Sequence, residues 1–167
     1  MKLIIASFLL SAITAMQVNP DEKISFREFF HNAYEKSFAG LDKMRDSKTG
    51  EWEFEHSVGD FDACVIRYDL EKGVHAIELV RYCESESMAQ QFMGRMDGQM
   101  PHAFPVENFK RSETQVSAGK EIHYTYKSAD PSVRAKNPEV GLSTATKNGR
   151  AMLIITLYEP IQKTGSN

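Results

Sequence analysis

The segment GLSTATKNGRAMLIITLY, residues 141–158, limits the possible folds of this chain more than any other stretch. Its centre, Asn148-Gly149, is the dipeptide most favoured in a type I′ turn, and alternating apolar residues flank it. A two-residue turn there places Leu142 opposite Ile155, so that one face of the paired strands is apolar. The segment therefore predicts an antiparallel β-hairpin whose apolar face is covered by other parts of the chain.

Three other stretches have the alternating pattern of strands. Residues 51–58 (EWEFEHSV) predict one strand with an acidic face. Residues 62–83 predict a hairpin with a two-residue turn at 72–73, and residues 107–128 predict another with its turn at 118–119. Together with the hairpin described above, they predict a sheet of about six to seven strands.

Two segments have helical spacing. Residues 19–41 carry an apolar, mostly aromatic stripe, with Ser25 and Glu28 in capping-box positions and residues 19–20 as an alternative start. Residues 85–96 begin at a serine cap and repeat methionine and phenylalanine on one face. The order of elements predicts a single α+β domain, an antiparallel sheet with two main helices packed on one face. This layout is similar to cystatin-like and photosystem-PsbP-like domains in architecture only, and no motif identifies a family.

The N-terminal residues MKLIIASFLLSAITA contain one basic residue, a short apolar core and small residues that end at Ala15. This pattern is typical of a secretory signal peptide, and its apolar part is too short to span a bilayer easily. We therefore expect residues 1–15 to be a signal peptide, residues 16–160 to form the single domain and residues 161–167 to be a polar tail. A buried N-terminal helix is the alternative. Cleavage predicts a secreted or periplasmic protein.

Composition limits the classes of function. The chain has 167 residues, a formal net charge of −3, 41% hydrophobic residues and 26% charged residues, which are values of a globular domain. Because lysine and arginine are not in excess, no surplus of cations exists to displace the counterions of a nucleic acid, and we expect no nucleic-acid partner. No segment after the signal is apolar for long enough to span a membrane stably.

Export affects the interpretation of the two cysteines, because thiols usually pair in an oxidising compartment. A two-residue turn at 72–73 places Cys64 opposite Arg81 and Cys83 opposite Asp62, so the cysteines are diagonal neighbours on one face. Directly opposed cysteines suit a disulfide better, but one bulge near the strand ends closes the gap. A disulfide between Cys64 and Cys83 is the favoured prediction, and two buried thiols are the main alternative. A catalytic cysteine has little support, because no histidine or oxyanion donor marks either one.

Searches for catalytic, cofactor-binding and metal-binding motifs assign no residue. Residues 141–145 approximate a nucleophile elbow but fall inside a predicted hairpin strand, and the Ser-x-x-Lys match at 117–120 falls in a turn. The five histidines lack metal-site spacing. We therefore predict no cofactor and favour a non-enzymatic, exported binding module for a protein or small-molecule ligand, possible roles including that of an inhibitor or immunity protein. An envelope structural or assembly subunit is the first alternative, and a hydrolase with a dispersed active site is the second.

The longest predicted connection inside the domain is the segment from Ala129 to Val140. Its Arg134 and Lys136 lie between two prolines, which restrict the backbone. The neighbouring strand carries Tyr124 and Tyr126, and tyrosine offers a large contact area with a hydroxyl for orientation. These four side chains are the predicted partner-binding residues. The alternatives are that the segment is simply mobile and that the two tyrosines belong to the core.

Overall fold

A computed structural model describes residues 23–44, 58–116 and 119–161. The predicted signal peptide, nearly all of the predicted polar tail, and all but the last residue of the strand predicted at 51–58 lie outside these ranges. None of the helices within them is long and apolar enough to cross a bilayer.

The described chain contains three α-helices and six β-strands, joined by loops and short 3₁₀ turns. The helices are α1 (Phe26–Ser37), α2 (Glu86–Gln99) and α3 (Pro131–Ala135). The strands are β1 (Ala63–Asp69), β2 (Val74–Cys83), β3 (Phe109–Val116), β4 (Gly119–Tyr126), β5 (Glu139–Lys147) and β6 (Arg150–Tyr158). The 3₁₀ turns are Leu41–Met44, Met100–His102 and Val106–Asn108.

The six strands form one sheet in the order β1-β2-β6-β5-β4-β3, and every neighbouring pair is antiparallel. The long central pairing of β2 with β6 joins the first hairpin to the meander formed by β3 to β6. Helix α2 carries the chain from β2 to β3 at the opposite edge. The predicted α+β fold, a single antiparallel sheet with two main helices packed against it, is confirmed.

The core lies between the two long helices and one face of the sheet. Each helix begins at a serine whose hydroxyl accepts a backbone N–H of the first turn, Ser25 from Glu28 and Ser85 from Met88. The largest side chains with almost no exposure come from both layers: Phe30, Leu41, Ile77, Leu79, Met93, Met100, Ile122, Leu142, Leu153, Ile155 and Leu157. Burial of this apolar surface is the main stabilising contribution to the fold.

The β5–β6 hairpin has the predicted turn and the predicted register. Lys147 pairs with Arg150, so the loop consists of Asn148 and Gly149 alone. Both loop residues have positive φ, 53° and 75°, as a type I′ turn requires. Leu142 lies opposite Ile155 with both side chains buried, which confirms the prediction for this hairpin.

The β1–β2 hairpin differs from the sequence-based prediction by two residues in register. Asp69 pairs with Val74, so the loop contains four residues instead of two. The Asp69 side chain explains the longer loop, because its Oδ1 accepts the backbone N–H groups of Glu71 and Lys72 at 3.0 Å each. Gly73 closes the loop with a φ of +68°, a conformation that suits glycine.

This shift in register separates the two cysteines, and the predicted disulfide is wrong. Cys64 lies opposite Leu79, not opposite Arg81. Cys83 is four residues farther along β2 than Leu79, which corresponds to roughly 13 Å along a strand. A disulfide needs its Cβ atoms roughly 3.5–4.5 Å apart, so both cysteines are free thiols.

The connection between β4 and β5 is also more ordered than the sequence indicates. Asp130 begins α3 by accepting the N–H of Ser132 at 2.8 Å, and Pro131 takes the first helical position. The segment from Ala129 to Val140 therefore contains one short helix.

Candidate functional site

A groove of about 400 Å³ lies at the end of the sheet where the β1–β2 loop approaches α3. Its lining residues are Glu71, Lys72, Val74, Thr125, Tyr126, Pro131, Arg134, Ala135, Asn137, Pro138, Glu139, Tyr158, Glu159 and Ile161. The backbone N–H of Ile161 donates to the carbonyl of Ala135 at 2.7 Å, which holds α3 against the chain that leaves β6. The volume is within the range of small-molecule sites.

Lys72 lines this groove and contacts two other residues of its lining. Its ammonium lies 2.7 Å from Oε2 of Glu139 and 4.2 Å from the centre of the Tyr158 ring. The Lys72 and Glu139 side chains are about one-third exposed, and an ion pair in that position adds little to stability. Both groups can therefore exchange this contact for a ligand at low cost.

Tyr158 supplies an aromatic wall with a neutral hydroxyl. Burial raises the pKa of Tyr158 above its usual value, and the nearby Lys72 and Arg67 charges oppose that rise. The protonated phenol can both donate and accept a hydrogen bond. Tyr158 thus contributes both an aromatic surface and a polar group, the combination that usually lines a binding site.

A second, more open cavity of about 620 Å³ adjoins the first. The two share Thr125, Tyr126 and Arg134 in their linings, so they form one continuous depression, which we call the groove and its mouth. The other residues that line the mouth are Lys110, Lys127, Ser128 and Ala129. The groove is lined by apolar and aromatic groups and by charged groups of both signs, whereas the ionisable side chains of the mouth are cationic apart from Tyr126.

The four predicted partner-binding residues have different positions in the structure. Tyr126 and Arg134 line both the groove and its mouth. Tyr124 is only 5% exposed and belongs to the core, where its ring contacts Phe104. Lys136 is exposed just after α3 and does not line the groove. The structure therefore brings two of the four side chains together at the groove.

Several groove residues were not predicted from the sequence. The sequence predicts Lys72 only as a turn residue and Tyr158 only as a strand end, and it places Glu139 in the connection from Ala129 to Val140 without assigning it to a site. Lys110 is on the outermost strand, β3, and joins the mouth because β3 pairs with the end of β4, with Lys110 opposite Thr125. No local pattern marks these residues, since strand pairing alone makes them neighbours.

A cluster with metal-ligand chemistry lies beside the groove. One potential ligand atom from each of Asp42, His75 and Glu159 falls within 4.8 Å of the others. The Glu159 carboxylate accepts backbone N–H groups from Leu41 and His75 at 2.7 Å each, and its Oε1 is 3.0 Å from Nδ1 of His75. Because both carboxylate oxygens already accept hydrogen bonds from the protein, we assign Glu159 to joining the 3₁₀ turn at Leu41 to β2 and to the end of β6.

The two thiols are not activated for chemistry. Burial raises the pKa of Cys64 to about 12, and burial is also the largest cause of the raised pKa of Cys83. Reactive cysteines have lowered pKa values, because the thiolate is the nucleophile. The described residues that line the groove and its mouth include neither cysteine nor histidine, so the usual nucleophile–histidine pairs do not occur there.

Comparison with known proteins assigns no relative. No family model, curated protein or solved structure matches this chain.

Proposed function

We propose that this chain is an exported, non-enzymatic binding module that holds its ligand in the groove between the β1–β2 loop and α3. The observation that carries the proposal is the groove itself, which combines about 400 Å³ of space with the Tyr126 and Tyr158 side chains and a labile Lys72–Glu139 pair. Aromatic surface with a few orienting polar groups is the usual composition of a ligand site.

The chemistry of the lining favours binding over catalysis. A general base or nucleophile needs a partner that shifts its pKa or accepts its proton. The ion pair of Lys72 with Glu139 is exposed, and Arg134 donates to the backbone carbonyls of Ser128 and Ala129 at 2.6 and 3.2 Å. The Arg134 contacts hold α3 to the chain before it, and none of these contacts supplies a proton acceptor for a nucleophile.

Export is supported by the N-terminal sequence pattern alone. Intact-mass analysis of the protein from its native host tests it, since a cleaved chain begins near Met16 and lies outside the cytoplasm. Cytoplasmic protein that still carries Met1 would contradict export and leave the proposed binding site unaffected.

The binding site is tested by blocking the groove. The probes are 4-phenylbutyrate, 4-phenylbutyramide and a set of short aromatic peptides, added to ¹⁵N-labelled protein. We expect at least one of them to shift backbone amide signals of groove residues such as Thr125 and Ala135. Thr125→Tyr places a larger side chain in the groove and should abolish these shifts.

Thr114→Tyr is the matched control. It makes the same substitution at an exposed position of β3 that lines neither the groove nor its mouth. This variant should bind as the unmodified protein does. Equal loss of binding in both variants, or shifts confined to another surface, would contradict the assignment of the groove.

A further inference from the structure

The mouth of the groove has an uncompensated positive charge. Lys110, Lys127 and Arg134 line it together with the Thr125 and Ser128 hydroxyl groups. No carboxylate of the described residues forms an ion pair with any of these three cations. This is unusual in a chain whose formal net charge is −3.

Cations on neighbouring parts of the sheet are paired instead. The pairs are Arg67 with Glu78, Lys72 with Glu139, Arg111 with Asp97 and Lys120 with Glu113. Their charges are neutralised locally, so they contribute little to the field over the mouth. The contrast identifies the mouth as the cationic part of this end of the molecule.

The three cations also have free hydrogen-bond donors. Lys127 uses one of its three N–H donors on the carbonyl of Glu107 at 2.7 Å. Arg134 directs only Nη1 at protein carbonyls, which leaves Nε and Nη2 for a ligand. The Lys110 ammonium makes no hydrogen bond or ion pair with any described residue.

The acidic side chain of Asp130 is close enough to Arg134 for the two charges to interact. Its carboxylate is already used, since Oδ1 accepts the N–H of Ser132. That hydrogen bond is the largest cause of the lowered pKa of Asp130, and the Arg134 charge is a smaller one. Asp130 therefore caps α3 as an anion and offsets one of the three positive charges, so the mouth keeps a net positive charge.

We infer that the ligand of the groove is a small organic anion whose carboxylate or phosphate group is bound by Lys110, Lys127 and Arg134 at the mouth. Its uncharged body lies in the groove against Tyr126 and Tyr158. Lysine and arginine bind carboxylate and phosphate through charge-assisted hydrogen bonds, which are about twice as strong as neutral ones. This inference rests on the proposed binding function and adds the chemical class of the ligand.

Two ligands of nearly the same shape test the charge requirement. 4-Phenylbutyrate and 4-phenylbutyramide share the phenyl ring and chain, and only the first is anionic at pH 7. In calorimetric titrations at low salt, we expect the carboxylate to bind at least about ten-fold more tightly than the amide. Benzyl phosphate, in a third titration, distinguishes a site for phosphate from one for carboxylate by its affinity relative to 4-phenylbutyrate.

Lys110→Gln combined with Lys127→Gln should remove most of the preference for the anion, since only Arg134 remains, and leave the affinity for the amide unchanged. Lys136→Gln is the control, because it also removes a positive charge from this region but from a residue outside the mouth. Melting temperatures check that each variant is folded. Lys110→Gln alone breaks no protein contact and should reduce the preference partially.

The outcomes separate this inference from the proposed function. Equal affinities for the acid and the amide at the groove would overturn the anion site and leave the binding function intact. Loss of the preference in Lys136→Gln would also overturn it. If the aromatic peptides alone bind at the groove, the inference is overturned and the proposed function stands; if no probe binds there, both are contradicted.

Discussion

The Tyr124 hydroxyl donates a hydrogen bond to Oδ1 of Asp97 at 2.6 Å, and this contact joins β4 to the last turns of α2. Arg111 on β3 contacts the same carboxylate, with its Nη2 at 2.9 Å from Oδ2. Asp97 is thus shared by a tyrosine and an arginine from two adjacent strands. Tyr124 therefore acts at the interface of helix and sheet and takes no part in the groove.

Tyr124→Phe should lower the free energy of unfolding by about 1 kcal/mol, because it removes this hydrogen bond and keeps the ring. Urea denaturation measures the change. Tyr82→Phe is the control, since Tyr82 is 42% exposed and should change stability by less than about 0.5 kcal/mol. Equal effects of the two substitutions would contradict the importance of the Asp97 contact.

The same tyrosine should make stability fall at alkaline pH. Burial, followed by the bond to Asp97, raises the pKa of Tyr124 above its ordinary value of 10.0. The folded state therefore holds this proton more strongly than the unfolded state, so stability is lost as the pH rises above 10. Tyr124→Phe should show a shallower decline of unfolding free energy with pH. If stability declines as steeply in this variant as in the unmodified protein, groups other than Tyr124 cause the decline.

Both cysteines should be detected as free thiols. Alkylation of the unfolded, unreduced protein is expected to add two labels per chain, and Cys83→Ala should reduce the count to one. In the folded state Cys83 should react first, because Cys64 is buried with a pKa raised to about 12. An unfolded protein that takes no label without reductant would instead show a disulfide.

Two glycine substitutions should have opposite effects on stability. Gly149→Ala forces alanine into a φ of +75° in the β5–β6 turn and should cost roughly 1 kcal/mol. Gly94→Ala lies in α2, where an added Cβ meets no atom within 4 Å, and should stabilise the protein by roughly 0.5–1 kcal/mol. Thermal unfolding of the two variants checks this. Changes of the same sign would contradict the assigned turn or helix.

Glu159→Gln should weaken the junction between the 3₁₀ turn at Leu41, β2 and the end of β6. The Glu159 side chain is only 9% exposed, and its two oxygens accept N–H groups from Leu41 and His75. The glutamine amide has an NH₂ group in place of one carboxylate oxygen, and this donor would face a backbone N–H, which is also a donor. The free energy of unfolding should fall by about 1–3 kcal/mol. Glu84→Gln, at an exposed position, is the control for loss of charge. A comparable loss in both variants would indicate a general charge effect.

The sequence alone determined the features that depend on neighbours within a few residues. Asn148 and Gly149 specify their turn because both can take positive φ, and the register of the hairpin follows from the length of that turn. Ser25 and Ser85 specify helix starts because each hydroxyl bonds an N–H three residues ahead. Alternation and helical spacing then predict the α+β class, because each apolar face needs another to cover it.

Only the tertiary structure decided the register of the cysteine hairpin and the position of the groove. A shift of two residues keeps the same side chains of both strands on the core face, so alternation alone cannot distinguish the two registers. The adopted register places Cys64 opposite Leu79, four residues from Cys83, and Asp69 stabilises the four-residue loop that accompanies it. Lys72 meets Glu139 because β2 and β5 both flank β6, a contact between residues far apart in the chain. Such contacts depend on which strands pair. The free energy that decides the pairing is a sum over the whole core, so no local sequence pattern predicts which residues meet.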